Sequence, residues 1–228
     1  MEVEGSTGSR GVGGYHYAKA SKPLCTPYKD PSVSCGALNA FYPGHVIVSR
    51  RVLGVAVCDP RVAASRGALE LVEGLGGLSG RIVGLGTGST LQAFLSEAAK
   101  ALMSAEGVVA SSIETALKAR SYGFRVLDPR VYRGVDIYVD GADEVELMYG
   151  SMIKGGGGAL LGEKVLARSS RLNVFVVGVD KVVEVLGSRR PVPVDVESSF
   201  LSMVLGFVEE LGWRAELRMA GGKRGPVV

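Results

Sequence analysis

From Asp59 onward the chain alternates short β-branched runs with amphipathic stretches, and this alternation narrows the fold more than any other feature. Runs at 81–85, 108–111, 125–127, 136–140 and 173–179 read as strands. Stretches at 59–73, 90–103, 114–122 and 159–169 read as helices. Parallel strands need a long crossover, and a helix is the usual one, so the pattern predicts an α/β fold with a parallel sheet covered by helices. Asp59 and Pro60 mark the first helix start: a carboxylate to cap free N–H groups, then a proline where its missing N–H costs nothing.

The two ends have a different texture. Residues 1–58 mix Gly, Ser, Pro, Tyr and Cys without a sustained period, and are expected to be an irregular extension. After Gly187, residues 191–196 read as extended, 200–211 as an apolar helix and 214–219 as a half-exposed strand. The expected division is therefore 1–58 as extension, 59–188 as the main domain, and 189–228 as the start of a smaller, apparently truncated α+β domain.

Composition excludes several functions. The net charge of +3, from 26 basic and 23 acidic side chains, is too small for a nucleic-acid footprint, and no long basic run accompanies it. The three cysteines, Cys25, Cys35 and Cys58, are odd in number and lack a C-x-x-C spacing, so neither a disulfide framework nor a zinc knuckle is indicated. No metal or cofactor is expected. Met1 to Arg10 has no apolar core, and the run 46–58 is broken by Arg50 and Arg51 and is too short to span a bilayer. A cytoplasmic protein with no membrane partner is expected.

Glycine is the unusual component: 33 residues, far above the average of roughly 7%. Many cluster beside apolar runs, in three motifs. GLGTGST, 84–90, lies between a strand and a helix, and combines a tight turn, hydroxyls and free helix-start N–H groups suited to a phosphate. It is not a P-loop, since no G-K-[ST] follows, and by itself a purely structural turn accounts for it nearly as well. DGADEV, 140–145, places three acidic groups at the carboxyl end of a strand, where open α/β sheets bind ligands. KGGGGALLGEKVLA, 154–167, sets a lysine and four glycines ahead of a helix carrying Glu163. On spacing alone Glu163 reads as an exposed partner of Lys164. Partial burial among Leu160, Leu161, Val165 and Leu166 would instead raise its pKa and suit it to proton abstraction.

These three motifs, in this order and spacing, closely resemble the ribose-5-phosphate isomerases of the A type. VVGVDKVVEVLG, 176–187, and PVPVDV, 191–196, continue the similarity, which runs from about Asp59 to Val228. The resemblance implies a Rossmann-like parallel sheet with helices on both faces, plus a smaller α+β domain that the family continues beyond the position of Val228. It implies a small-molecule sugar phosphate as partner and assembly as a homodimer or homotetramer. The family's proton acceptor falls on Glu163. Its substrate-binding segments fall on Thr87, Gly88, Ser89 and Thr90, on Asp140, Gly141, Ala142 and Asp143, and on Lys154, Gly155, Gly156 and Gly157. A further binding lysine corresponds to Lys181, and a phosphate-holding basic residue of the first helix to Arg61 or Arg66.

Interconversion of ribose 5-phosphate and ribulose 5-phosphate, a step of the non-oxidative pentose phosphate pathway, can run through an enediolate or by metal-assisted hydride shift. The second route needs a carboxylate cage, usually with histidines, and the matched region has no histidine, which favours the enediolate. Glu163 would move the proton between C2 and C1, Lys154 would stabilise the oxyanion, and Asp140 with Asp143 would handle hydroxyl protons. A non-catalytic sugar-phosphate sensor and an inactive isomerase fragment are the alternatives. The complete 154–163 segment argues against the sensor.

Overall fold

The computed structural model describes residues 36–42, 44–50, 59–217, 219–220 and 223–224. Two strands come first, β1 (Gly36–Tyr42) and β2 (Gly44–Arg50), then helix α1 (Pro60–Gly74). Next are β3 (Ile82–Leu85), α2 (Ser89–Glu97), α3 (Ala99–Leu102), β4 (Gly107–Ala110) and α4 (Ile113–Ser121). The chain continues through β5 (Val135–Asp140), β6 (Glu144–Glu146), β7 (Met152–Ile153), α5 (Leu160–Ser169) and β8 (Ser170–Gly178). It closes with β9 (Val182–Val183), α6 (Leu201–Glu210), and the short strands Met219–Ala220 and Lys223–Arg224.

The main sheet has the order β1-β2-β8-β5-β3-β4, parallel throughout except for the antiparallel β1–β2 pair. From β3 the chain moves outward to β4, then returns to the other side of β3 as β5. The order therefore reverses between β3 and β5, and in open α/β sheets the crevice at such a reversal is where ligands bind. GLGTGST follows β3 and DGADEV follows β5, so both motifs open at that crevice.

Period-two alternation along the strands divides the core between two faces. Val83, Leu85, Ile137, Val139, Val174 and Val176 point to the face covered by α1 and α2, where Ala64, Ala68, Val72, Leu91, Phe94 and Leu95 meet them. Tyr138, Phe175 and Val177 point to the opposite face, against Leu166 of α5 and Val145 of β6. Helices thus cover both faces. The Asp59 carboxylate accepts from the Arg61 N–H at 2.9 Å, capping α1 as expected.

Four expectations need correction. Residues 1–58 were expected to be irregular, yet 36–42 and 44–50 form two strands, with β2 extending the sheet alongside β8 (residues 1–35 lie outside the described part). The β-branched run Val46-Ile47-Val48 pairs with Phe175-Val176-Val177, and a continuous apolar run of this kind shows no alternation to read. The single helix expected at 90–103 breaks at Ala98, which lets Leu102 turn into the core. The strand expected at 125–127 is reduced to one parallel bridge, Val108 to Val126, before Asp128 caps a 3-10 turn. Residues 214–217 carry no strand. A second sheet, ordered β7-β6-β9, escaped the sequence reading because its strands have only two or three residues.

Candidate active site

At the reversal point lies a cavity of about 150 Å³ whose walls come from four segments. Thr87, Gly88, Ser89 and Thr90 form one wall, Asp140 to Asp143 a second, Lys154, Gly155, Gly157 and Glu163 a third, and Lys181 a fourth. Gly156 is outside the wall; its N–H donates to Asp143 Oδ2 at 2.8 Å and orients that carboxylate. Arg61 and Arg66 are also outside it, paired with Asp59 and Glu97 respectively.

The first wall is the start of α2. Gly88 has φ +115°, a conformation that disfavours any side chain, and no side chain caps the helix there. Ser89 and Thr90 of its first turn line the cavity, where a helix N-terminus carries partial positive charge. Behind the loop, the Thr87 hydroxyl sits in a cluster with Ser111, Ser112 and Thr115, whose own hydroxyl donates to the Gly86 carbonyl at 2.8 Å. The same β4–α4 junction braces α5. A side chain at Gly162 would come within 2.3 Å of the Ser111 carbonyl, so only glycine lets the helix approach so closely.

Asp140 is 1% exposed and bonded on both oxygens. Oδ1 accepts from the N–H groups of Thr87 (3.2 Å) and Gly141 (2.8 Å), and Oδ2 from the Tyr138 phenol (2.6 Å) and the Lys154 ammonium (2.5 Å). Lys154 also donates to the Gly141 carbonyl, lies 5.3 Å from the centre of the Phe175 ring, and stands 3.7 Å from Glu163 Oε2. One carboxylate therefore ties three motifs together. Asp143 differs, because among the described residues only its Oδ2 receives a donor, the Gly156 N–H.

Glu163, in the first turn of α5, is 5% exposed. Burial pushes its carboxyl up to about 7, the nearby Asp140 charge pushes the same way, and Lys154 holds it down in part. That burial does not come from its whole apolar surround, since Leu161 and Val165 are exposed and only Leu166 is buried. Glu163 lines the cavity with Gly155, Gly157, Asp140 and Lys154 instead, the last of these 3.7 Å away. Among the described residues, no group of three or more His, Cys, Asp or Glu is spaced to hold a metal ion, and no helix is long and apolar enough to cross a membrane.

Sequence reading missed Tyr138, Phe175 and the Ser111–Ser112–Thr115 cluster. Tyr138 carried a usable signal, since residues two apart in a strand share a face and Asp140 was already a candidate.

Such a site, with a buried carboxylate 3.7 Å from an ammonium beside an uncapped helix start, suits an α/β enzyme acting on a small anionic molecule. The family model of ribose 5-phosphate isomerase A (phosphoriboisomerase A) matches residues 107–228. Ribose-5-phosphate isomerase A of Aeropyrum pernix is 54% identical over 171 residues, covering 75% of this chain and 72% of that protein. The solved structure of ribose 5-phosphate isomerase A from Methanocaldococcus jannaschii superposes with a TM-score of 0.66 at 33% identity, covering 74% of this chain and 73% of the other. A structure of D-ribose-5-phosphate isomerase in complex with phospho-erythronic acid gives a TM-score of 0.63 at 29% identity, covering 74% and 72%. The chain belongs to the ribose 5-phosphate isomerase A family.

Proposed function

We propose that this chain interconverts D-ribose 5-phosphate and D-ribulose 5-phosphate through an enediolate, with Glu163 carrying the proton between C2 and C1. The observation behind this is the buried Glu163 carboxylate, titrating near neutrality and 3.7 Å from Lys154, on the wall facing the open start of α2. A base with a pKa near the working pH is ionised often enough to accept a proton and basic enough to pull it from carbon.

The substrate phosphate lies against Gly88, Ser89 and Thr90, with Lys181 adding charge, and its binding energy orients the reacting carbons. Glu163 takes the C2 proton of the open-chain aldose. The negative charge that develops on O1 meets the Lys154 ammonium and the N–H groups of Gly155 and Gly157. Asp143, whose Oδ1 accepts no hydrogen bond among the described residues, moves the proton from O2 to O1, and Glu163 then returns its proton to C1. Asp140, engaged by four donors, is better suited to holding Lys154 than to exchanging protons. The phospho-erythronic acid of the related complex is consistent with this course, because its carboxylate has the planar, anionic form of an enediolate end.

We assign the enzyme to the cytoplasm and to a homodimer or homotetramer. Exposed Met148, Tyr149, Leu161 and Val165 provide apolar surface for subunit contact. We also retain the division at residue 188 between the catalytic domain and a smaller α+β domain.

Incubation with ribose 5-phosphate should yield ribulose 5-phosphate. Glu163→Gln should lower turnover by roughly 10²-fold or more with KM nearly unchanged. Near-normal turnover would remove Glu163 as the base, and binding without conversion in the unmodified protein would favour a sensor. Activity lost to a chelator and restored by divalent metal would reject the metal-free course.

A further inference from the structure

Tyr138 is buried beside the cavity and takes no part in the steps above. Its phenol donates to Asp140 Oδ2 at 2.6 Å, the oxygen that also receives Lys154 at 2.5 Å. The ring is seated by what its neighbour lacks. Gly84 stands directly across from Tyr138 in the β3–β5 ladder, and a side chain there would come within 3.0 Å of the ring. Two residues on, a side chain at Gly86 would lie 1.9 Å from Asp140 Oδ1. The first glycines of GLGTGST thus form a mould for Tyr138 and Asp140. Phe175 meets the ring edge-on at 6.4 Å from the other neighbouring strand, β8.

We propose that Tyr138 is a positioning residue for the isomerisation, its phenol fixing the Asp140 carboxylate so that this carboxylate holds the Lys154 ammonium where the oxyanion forms. The proposal rests on the enediolate reading above. Without the phenol, Oδ2 keeps only Lys154 as a donor and is free to turn toward it, drawing the ammonium away from the substrate. Small displacements of a catalytic group are costly, of the order of 10²-fold for about 1 Å. Burial first, then the charges of Asp140 and Glu163, keep the phenol proton far more tightly held than usual, so the donor persists across the working pH range.

Tyr138→Phe fills the same slot and removes only the hydroxyl. It should lower kcat roughly 5- to 30-fold, with KM within about twofold and a small change in melting temperature. In an Asp140→Asn background the same change should add no further loss, because the phenol acts through Asp140. Gly84→Ala, which crowds the ring while leaving its hydroxyl, should reproduce the fall in kcat. Unchanged kcat in Tyr138→Phe, a rise in KM alone, or a full multiplicative loss in the double variant would each overturn the proposal. Failure of the unmodified protein to convert ribose 5-phosphate would instead sink the enediolate reading, so the two failures are distinguishable.

Discussion

Helices α2 and α6 have nearly the same length, nine and ten residues, and both are amphipathic, yet they fare differently in the fold. Helix α2 buries Leu91, Phe94 and Leu95 against the sheet. Helix α6 carries Leu201, Met203, Val204, Leu205, Phe207 and Val208 and buries none of them; Phe207 is 57% exposed. An apolar face records that a helix has something to hide, whereas stabilisation comes only when another element covers it. Covering one such side chain stabilises by about 1.5–3 kcal/mol, so α2 helps hold the domain together and α6 adds little to it.

The contrast is easiest to break with phenylalanine. Phe94→Ala should cost about 3–5 kcal/mol of unfolding free energy, and Phe207→Ala no more than about 0.5 kcal/mol. Similar shifts in the denaturant midpoint for both would dissolve the distinction. Glycine gives the next largest effect. Gly86→Ala places a methyl inside the Asp140 carboxylate and should cost about 1–3 kcal/mol together with most of the activity. Gly206→Ala, on α6 with nothing within 4 Å, should instead stabilise by up to about 1 kcal/mol.

Two titrations sharpen the same comparison from the side of the site. Glu163 has a folded pKa of about 7, above its ordinary value of 4.5, so its contribution to stability is complete below 4.5 and is lost as pH rises toward 7. The unmodified protein should therefore lose more melting temperature than Glu163→Gln between pH 5 and 8, while its kcat/KM rises over the upper part of that range. Glu144 has the opposite sign. Burial pushes its carboxyl upward, but the N–H groups of Gly187, Arg189 and Arg190 outweigh that and hold it below the usual value. Its contribution is present above the unfolded pKa and is lost as pH falls through the folded one. Glu144→Gln should weaken this acid sensitivity, the smallest of the expected effects, which a melting series from pH 6 downward would show.

Much of the sheet was legible because β3, β5 and β8 are buried on both faces and leave continuous β-branched runs between helical periods. The site segments were legible for a different reason: each sits in a glycine cluster at the carboxyl end of a strand or the start of a helix. What the sequence hid depends on distance along the chain. Glu163 read as exposed by its own neighbours, whereas the assembled sheet sets it in the same cavity as Asp140, from a distant strand, with Lys154 3.7 Å away. The glycines at 84 and 86 read as turn residues, whereas their missing side chains make room for Tyr138 and Asp140 more than fifty residues away. Strand β2 was passed over because pairing with β8 is a property of the assembled sheet.

The amide protons of Thr87 and Gly141 point at the same buried oxygen of Asp140. Their exchange with solvent deuterium should then be slow and correlated, governed by one shared opening event of the β3–β5 crevice, even though both belong to loops that flank a ligand cavity. Loops at binding sites ordinarily sit at the low end of the protection scale. Here the deuterium clock would run at the pace of the core strands.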